Sequence, residues 1–144
     1  MTYLKIILTA AFYLGVLGCS TEFSSDQTAG ARPWTDKPFN NKPENFQFAI
    51  VGDRTGGARL GVFERAMTQI NWLQPEFVIS VGDLIEGYSE DQSVLEKEWN
   101  HLDSMVGSLD MPFFYVVGNH DMGNNVMREV WQARYGKRDY YHFI

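Results

Sequence analysis

The sequence predicts an α/β fold in which strand and helix alternate from about Phe46 onward. Three observations predict it. Short apolar runs rich in aromatic and β-branched residues occur three times, segments of helical period separate them, and each run ends in a glycine-led polar cluster. Strands that alternate with helices pair in parallel through right-handed crossovers, so a β-α-β-α-β sheet is expected. With 144 residues the chain has room for one such domain and little more.

Phe46 to Val51 (FQFAIV) opens the domain as the first strand. Leu60, Phe63, Met67, Ile70 and Leu73 then recur at helical spacing. Phe77 to Val81 (FVISV) is the second strand, and Leu95, Trp99, Leu102, Val106 and Leu109 mark the helix after it. Phe113 to Val117 (FFYVV) is the third strand. All three runs are nearly continuous in apolar character, which predicts burial on both faces. Asn125 to Tyr135 carries Met127, Val130, Trp131 and Tyr135 on one face of a third helix, and Tyr140 to Ile144 reads as the start of another strand. Stripes of this kind are core.

The amino-terminal part differs in kind. Lys5 is the only charge in residues 1–18, and Ile6 to Gly18 is an apolar run shorter than the ~20 residues that span a bilayer. This predicts a secretory signal peptide. Its end, Val16-Leu17-Gly18-Cys19-Ser20, resembles the lipobox of bacterial lipoproteins, which implies cleavage before Cys19 and lipidation of its sulfur. The protein would then be exported and anchored on the periplasmic or extracellular face, touching membrane only through its lipid. Ser20 to Asn45 holds Pro33, Pro38 and Pro43 without apolar periodicity and reads as a tether. The expected division is residues 1–18 as signal, 19–45 as anchor and linker, and 46–144 as the domain.

Charge and cysteine content exclude other classes. A net charge of −6 is the wrong sign for holding nucleic acid through a basic surface. One cysteine excludes an internal disulfide and a multi-thiolate zinc site, leaving oxygen and imidazole as the available metal ligands.

The polar clusters carry the chemistry. They are Gly52-Asp53-Arg54-Thr55-Gly56-Gly57, Gly82-Asp83-Leu84-Ile85-Glu86-Gly87 and Gly118-Asn119-His120-Asp121. In an open parallel sheet ligands bind beyond the carboxyl ends of the strands, so the three clusters converge there. Two carboxylates brought together repel unless a cation lies between them. A divalent metal resolves that repulsion, with the Asn119 amide as a neutral ligand.

In this order the clusters resemble the calcineurin-like metallophosphoesterases, over about Phe46 to Ile144. The resemblance implies a β-α-β-α-β portion of an αββα sandwich and two divalent metal ions of the Mn, Fe or Zn class. Asp53 would bind the first metal, Asp83 would bridge both, and Asn119 would bind the second. His120 would act as the acid, oriented by Asp121, and a metal-bound hydroxide would attack a small phosphomonoester or phosphodiester substrate. Thr55 stands where most members have a histidine ligand, and Glu86 stands where purple acid phosphatases place a tyrosine ligand, so both are candidate ligands here. Arg54 is a candidate for a phosphate oxygen. The later histidine motifs of the family would fall after Ile144, so the resemblance implies an amino-terminal portion of the enzyme. A second reading is a surface lipoprotein that uses the same scaffold to bind a ligand or partner without turnover.

Overall fold

A computed structural model of the chain describes residue 25 and residues 30–40, 43–139 and 141. The signal segment, Cys19 and most of the run from Tyr140 to Ile144 lie outside the described residues; Tyr141 alone of that run is described and is not in a strand. A short 3-10 turn, Pro43–Asn45, precedes β1 (Phe48–Val51), α1 (Val62–Leu73), β2 (Phe77–Ser80), α2 (Gln92–Val106), β3 (Phe113–Phe114) and α3 (Asn125–Tyr135).

The three strands pair in parallel in the order β1-β2-β3, with Phe48 opposite Phe77 and Val78 opposite Phe113. Sequential order with right-handed crossovers sets both connecting helices on one face of the sheet. There lies the main core, where Met67 and Ile70 of α1, Leu95, Trp99 and Leu102 of α2, and Met127, Val130 and Trp131 of α3 pack with Val78 and Phe113. The stripes foreseen for α2 and α3 are all buried, including Leu109 just past α2.

A polar knot joins α2, α3 and the chain after β3. Asp103 accepts hydrogen bonds from the hydroxyls of Tyr115 at 3.0 Å and Tyr135 at 2.8 Å, and its second oxygen pairs with Arg134 at 2.6 Å. Burial first, and the adjacent Asp103 charge with it, push both tyrosine hydroxyls above their ordinary range. The knot therefore stays protonated on its tyrosines and fixes α3 against α2.

The structure corrects several expectations. β1 is not buried on both faces: Ala49 and Val51 pack on the helical core, whereas Phe48 is 50% exposed and Ile50 is 62% exposed. The second face is covered over β2 and β3 by Trp34, Phe39 and Tyr141, which meet Phe77, Ile79 and Phe114, and this cover stops short of β1. Leu60 lies before α1 and is exposed, because Gly61 caps the helix with φ 75° and starts it only at Val62. Leu73, at the last turn, is exposed as well. β3 ends at Phe114 instead of Val117. Past it, the Ser80 hydroxyl accepts from the Val116 amide at 2.7 Å, so a side chain replaces the ladder bond.

Residues 30–40, read as tether, lie against the sheet. Thr35 donates its amide to the Phe113 carbonyl at 3.0 Å, Tyr115 donates to Pro33 at 2.8 Å, and Trp34 bridges antiparallel to Phe114. Trp34 is buried and meets the Phe114 and Tyr141 rings in tilted contacts. Proline removes amide donors at single positions but leaves carbonyls free to pair, which is how Pro33 serves an edge strand. Among the described residues no helix is long and apolar enough to cross a membrane.

Candidate active site

The ends of the three strands meet through their backbones. A Cβ on Gly82 would lie 2.5 Å from the Gly118 nitrogen, and one on Gly118 would lie 2.1 Å from Asp83 Oδ1. Only glycine permits that approach, so the turn after β2 and the turn after β3 are pressed together. Asp53 donates its amide to the Gly82 carbonyl at 3.3 Å, which brings the turn after β1 alongside. The three clusters thus converge at one end of the sheet, as strand-end geometry requires.

Asp53 and Asp83 both adopt the left-handed region, at φ 46° and 55°. Tyr88 does so too, at φ 49°, and the remaining non-glycine case among the described residues, Gln74, is the α1 cap. Such backbone costs about 1–3 kcal/mol per residue and persists where the surroundings enforce it. Here three of the four cases sit in the site loops.

Side-chain commitments sort the candidates. Asp83 Oδ1 accepts from the His120 amide at 3.1 Å. The Asp83 carbonyl accepts from both the amide and the hydroxyl of Thr55, at 3.2 and 3.0 Å, so the Thr55 hydroxyl ties two turns together. Arg54 donates to the Leu84 carbonyl at 2.8 Å and lies over the Phe63 ring, which fastens its loop. Glu86 is exposed, its carboxylate 3.4 Å from the Gly56 amide.

His120 is held at Nδ1, which lies 2.8 Å from the Glu86 carbonyl and donates to it. That bond sets the tautomer and leaves Nε2 as the working nitrogen. A Cβ on Gly56 would lie 3.9 Å from Nε2, so the nitrogen faces the Asp53 turn. The Glu86 carbonyl, and not Asp121, therefore orients the ring. Asp121 is fully buried, and its oxygens accept from the amides of Leu84 at 2.8 Å, Ile85 at 3.1 Å and Gly118 at 2.8 Å. Burial raises its pKa above the usual carboxylate range, with those amides pulling the other way. Its work is to clamp the turn after β2 to the turn after β3.

Two residues escaped sequence reasoning. Glu98 of α2 accepts from the Gly87 amide at 3.0 Å and anchors the loop after β2. Tyr88 touches both Asn119 and His120. An aromatic residue directly after Gly87, in a loop otherwise polar from Glu86 to Gln92, was the available signal for Tyr88. Beside Asp53 a cleft of about 620 Å³ opens between the loop of residues 54–61 and α1, with Arg59, Phe63 and His101 on its walls.

Carboxylates from two neighbouring strand-end turns, an asparagine and a histidine anchored at Nδ1 gather beyond the carboxyl ends of the strands, where α/β sheets bind ligands. The chain belongs to the calcineurin-like phosphoesterase family, whose sequence profile matches residues 46–144. Neither the curated proteins nor the solved structures give a match.

Members of this family typically bind divalent metal ions. Among the described residues no group of three or more His, Cys, Asp and Glu side chains is placed to hold one. The donors at the strand ends are the Asp53 and Asp83 carboxylates and the Asn119 amide. All are hard oxygens, which fit magnesium or manganese better than zinc, and they fall short of a full set for two ions.

Proposed function

We propose that this domain hydrolyses phosphoesters at the cluster of Asp53, Asp83, Asn119 and His120. The single observation that carries the reading is the His120 anchorage: Nδ1 is bound to the Glu86 carbonyl and the backbone amide to Asp83, while Nε2 faces the Asp53 turn. In its protonated state Nε2–H is placed to give its proton to a leaving oxygen. Asp53, Asp83 and Asn119 are the residues that would contribute oxygen ligands to a divalent cation. The chemistry that divalent ions supply when bound is neutralisation of phosphoryl charge and a more acidic water. The cleft beside Asp53 gives the rest of the ester a place to lie.

Oxygen donors alone hold transition metals weakly, so the assay is run with manganese in excess. Hydrolysis of p-nitrophenyl phosphate or its bis-ester is expected, stopping on chelation and returning with manganese. Folded protein that binds manganese yet turns over neither ester sinks the enzymatic reading and favours the non-catalytic scaffold.

We further propose that the protein is exported and anchored through Cys19, on the motif Val16-Leu17-Gly18-Cys19 after a short apolar run. Labelled palmitate is expected to enter the wild type and not Cys19→Ser; equal labelling of the two rejects the anchor.

A further inference from the structure

We propose that Tyr88 is a positioning residue that sets the side chains of both Asn119 and His120, an inference that rests on the phosphoesterase reading above. Tyr88 belongs to the loop after β2, whereas Asn119 and His120 belong to the turn after β3. Its hydroxyl accepts from Asn119 Nδ2 at 2.5 Å. Its ring meets the His120 ring in a T-shaped contact, with centroids 4.6 Å apart and planes at 61°.

Each contact removes one freedom. With its nitrogen turned to Tyr88, Asn119 has its amide oxygen directed away as the remaining acceptor, the atom a metal or phosphate proton requires. The His120 ring, held at Nδ1 by Glu86, still has a hinge about that bond. The Tyr88 ring is a second stop, and two stops define where Nε2 stands.

Burial does not explain Tyr88, because it is 61% exposed. Its φ of 49° is one that bulky residues avoid. The surroundings are shaped to deliver it there. A Cβ on Gly87 would lie 1.8 Å from the His120 carbonyl oxygen, so the loop is pressed onto the turn it serves. A Cβ on Gly123 would lie 3.2 Å from Tyr88 Cε1, so the ring lies close over that glycine. Glu98 holds the Gly87 amide from α2.

Two variants of the full-length protein separate the contacts. Tyr88→Phe keeps the ring and deletes the hydroxyl; Tyr88→Leu deletes both. By NMR, with the His120 signals assigned through His120→Ala, the His120 ring resonances are expected to move in Tyr88→Leu and hold in Tyr88→Phe. The Asn119 side-chain amide signals are expected to move in both. Thermal midpoints should stay within about 2 °C of wild type, as suits an exposed side chain. On p-nitrophenyl phosphate, kcat is expected to fall about 10-fold or more in Tyr88→Leu with KM unchanged, the pattern of lost transition-state positioning. Unmoved His120 resonances in Tyr88→Leu overturn the proposal, as does unchanged kcat in an enzyme that His120→Ala inactivates. Absence of turnover in the wild type counts against the phosphoesterase reading alone, and the resonances then decide the placement of Tyr88.

Discussion

Replacing His120 with alanine is expected to lower kcat by about 10²–10⁴ in the full-length protein, the scale for removing a positioned general acid. Folding and manganese uptake should hold. The turn around His120 is secured by its backbone, whose amide donates to Asp83 and survives the substitution. The ring's bond to the Glu86 carbonyl and its contact with the Tyr88 ring are lost. Asp83→Ala is the contrasting case: it removes a carboxylate donor and the acceptor of the His120 amide together, so metal uptake falls with turnover. Manganese titration and steady-state kinetics on both variants decide the matter. Equal metal loss in the two would make His120 a ligand or a fold element and remove it from proton transfer.

Asp121→Ala is expected to destabilise the fold by roughly 3 kcal/mol or more, because it leaves several buried backbone donors without an acceptor. Its carboxylate is wholly buried and receives three backbone amides from two different turns. An unpaired buried donor costs about 1–3 kcal/mol, and Leu84 and Ile85 have no exposure through which water could replace the lost acceptor. Asp121→Asn should fall between, since one amide oxygen serves the Leu84 and Ile85 amides while its nitrogen opposes that of Gly118. Urea denaturation measures both. A midpoint for Asp121→Ala equal to wild type would show that the two turns are held together by other means.

The parts of this fold that were legible are those whose signal is local and long. α2 and α3 announce themselves through buried residues at helical spacing, and each starts at a side-chain cap, Asp91 accepting from Ser93 and Asn124 from Met127. The strands were legible as strands, and β2 and β3 are buried as expected, but the exposure of β1 was not legible. Phe48 and Ile50 favour extended backbone whether or not anything covers them, so composition could not tell a covered face from an open one. The packing of Trp34 was hidden because its neighbours are remote: Thr35 and Phe113 bond across 78 positions of sequence.

The site shows the same division. The placement of Asp53, Asp83 and Asn119 at the strand ends was legible because a glycine after an apolar run marks a strand end. The partner of Asp121 was not. Adjacency in sequence suggested that Asp121 serves His120, yet the aspartate is wholly buried beneath the site, whereas the histidine ring keeps partial exposure and is held by the Glu86 carbonyl. Tyr88 escaped for a related reason, since its role depends on two turns meeting, and no motif spans them.

The pairing of Pro33 and Thr35 with β3 covers the outer edge of that strand. An uncovered parallel sheet edge is a template on which another polypeptide can add itself as one more strand. Here the Phe113 carbonyl and the Tyr115 amide are already satisfied from within the chain, by a segment carrying a proline that cannot extend the ladder. Residues 33–35 therefore act as a guard against strand addition. A protein cut back to the family boundary at Phe46 would lose that guard and present Phe113, Phe114 and Tyr115 as an adhesive margin. The unit for handling in solution is accordingly longer at its amino end than the family-matched domain of residues 46–144.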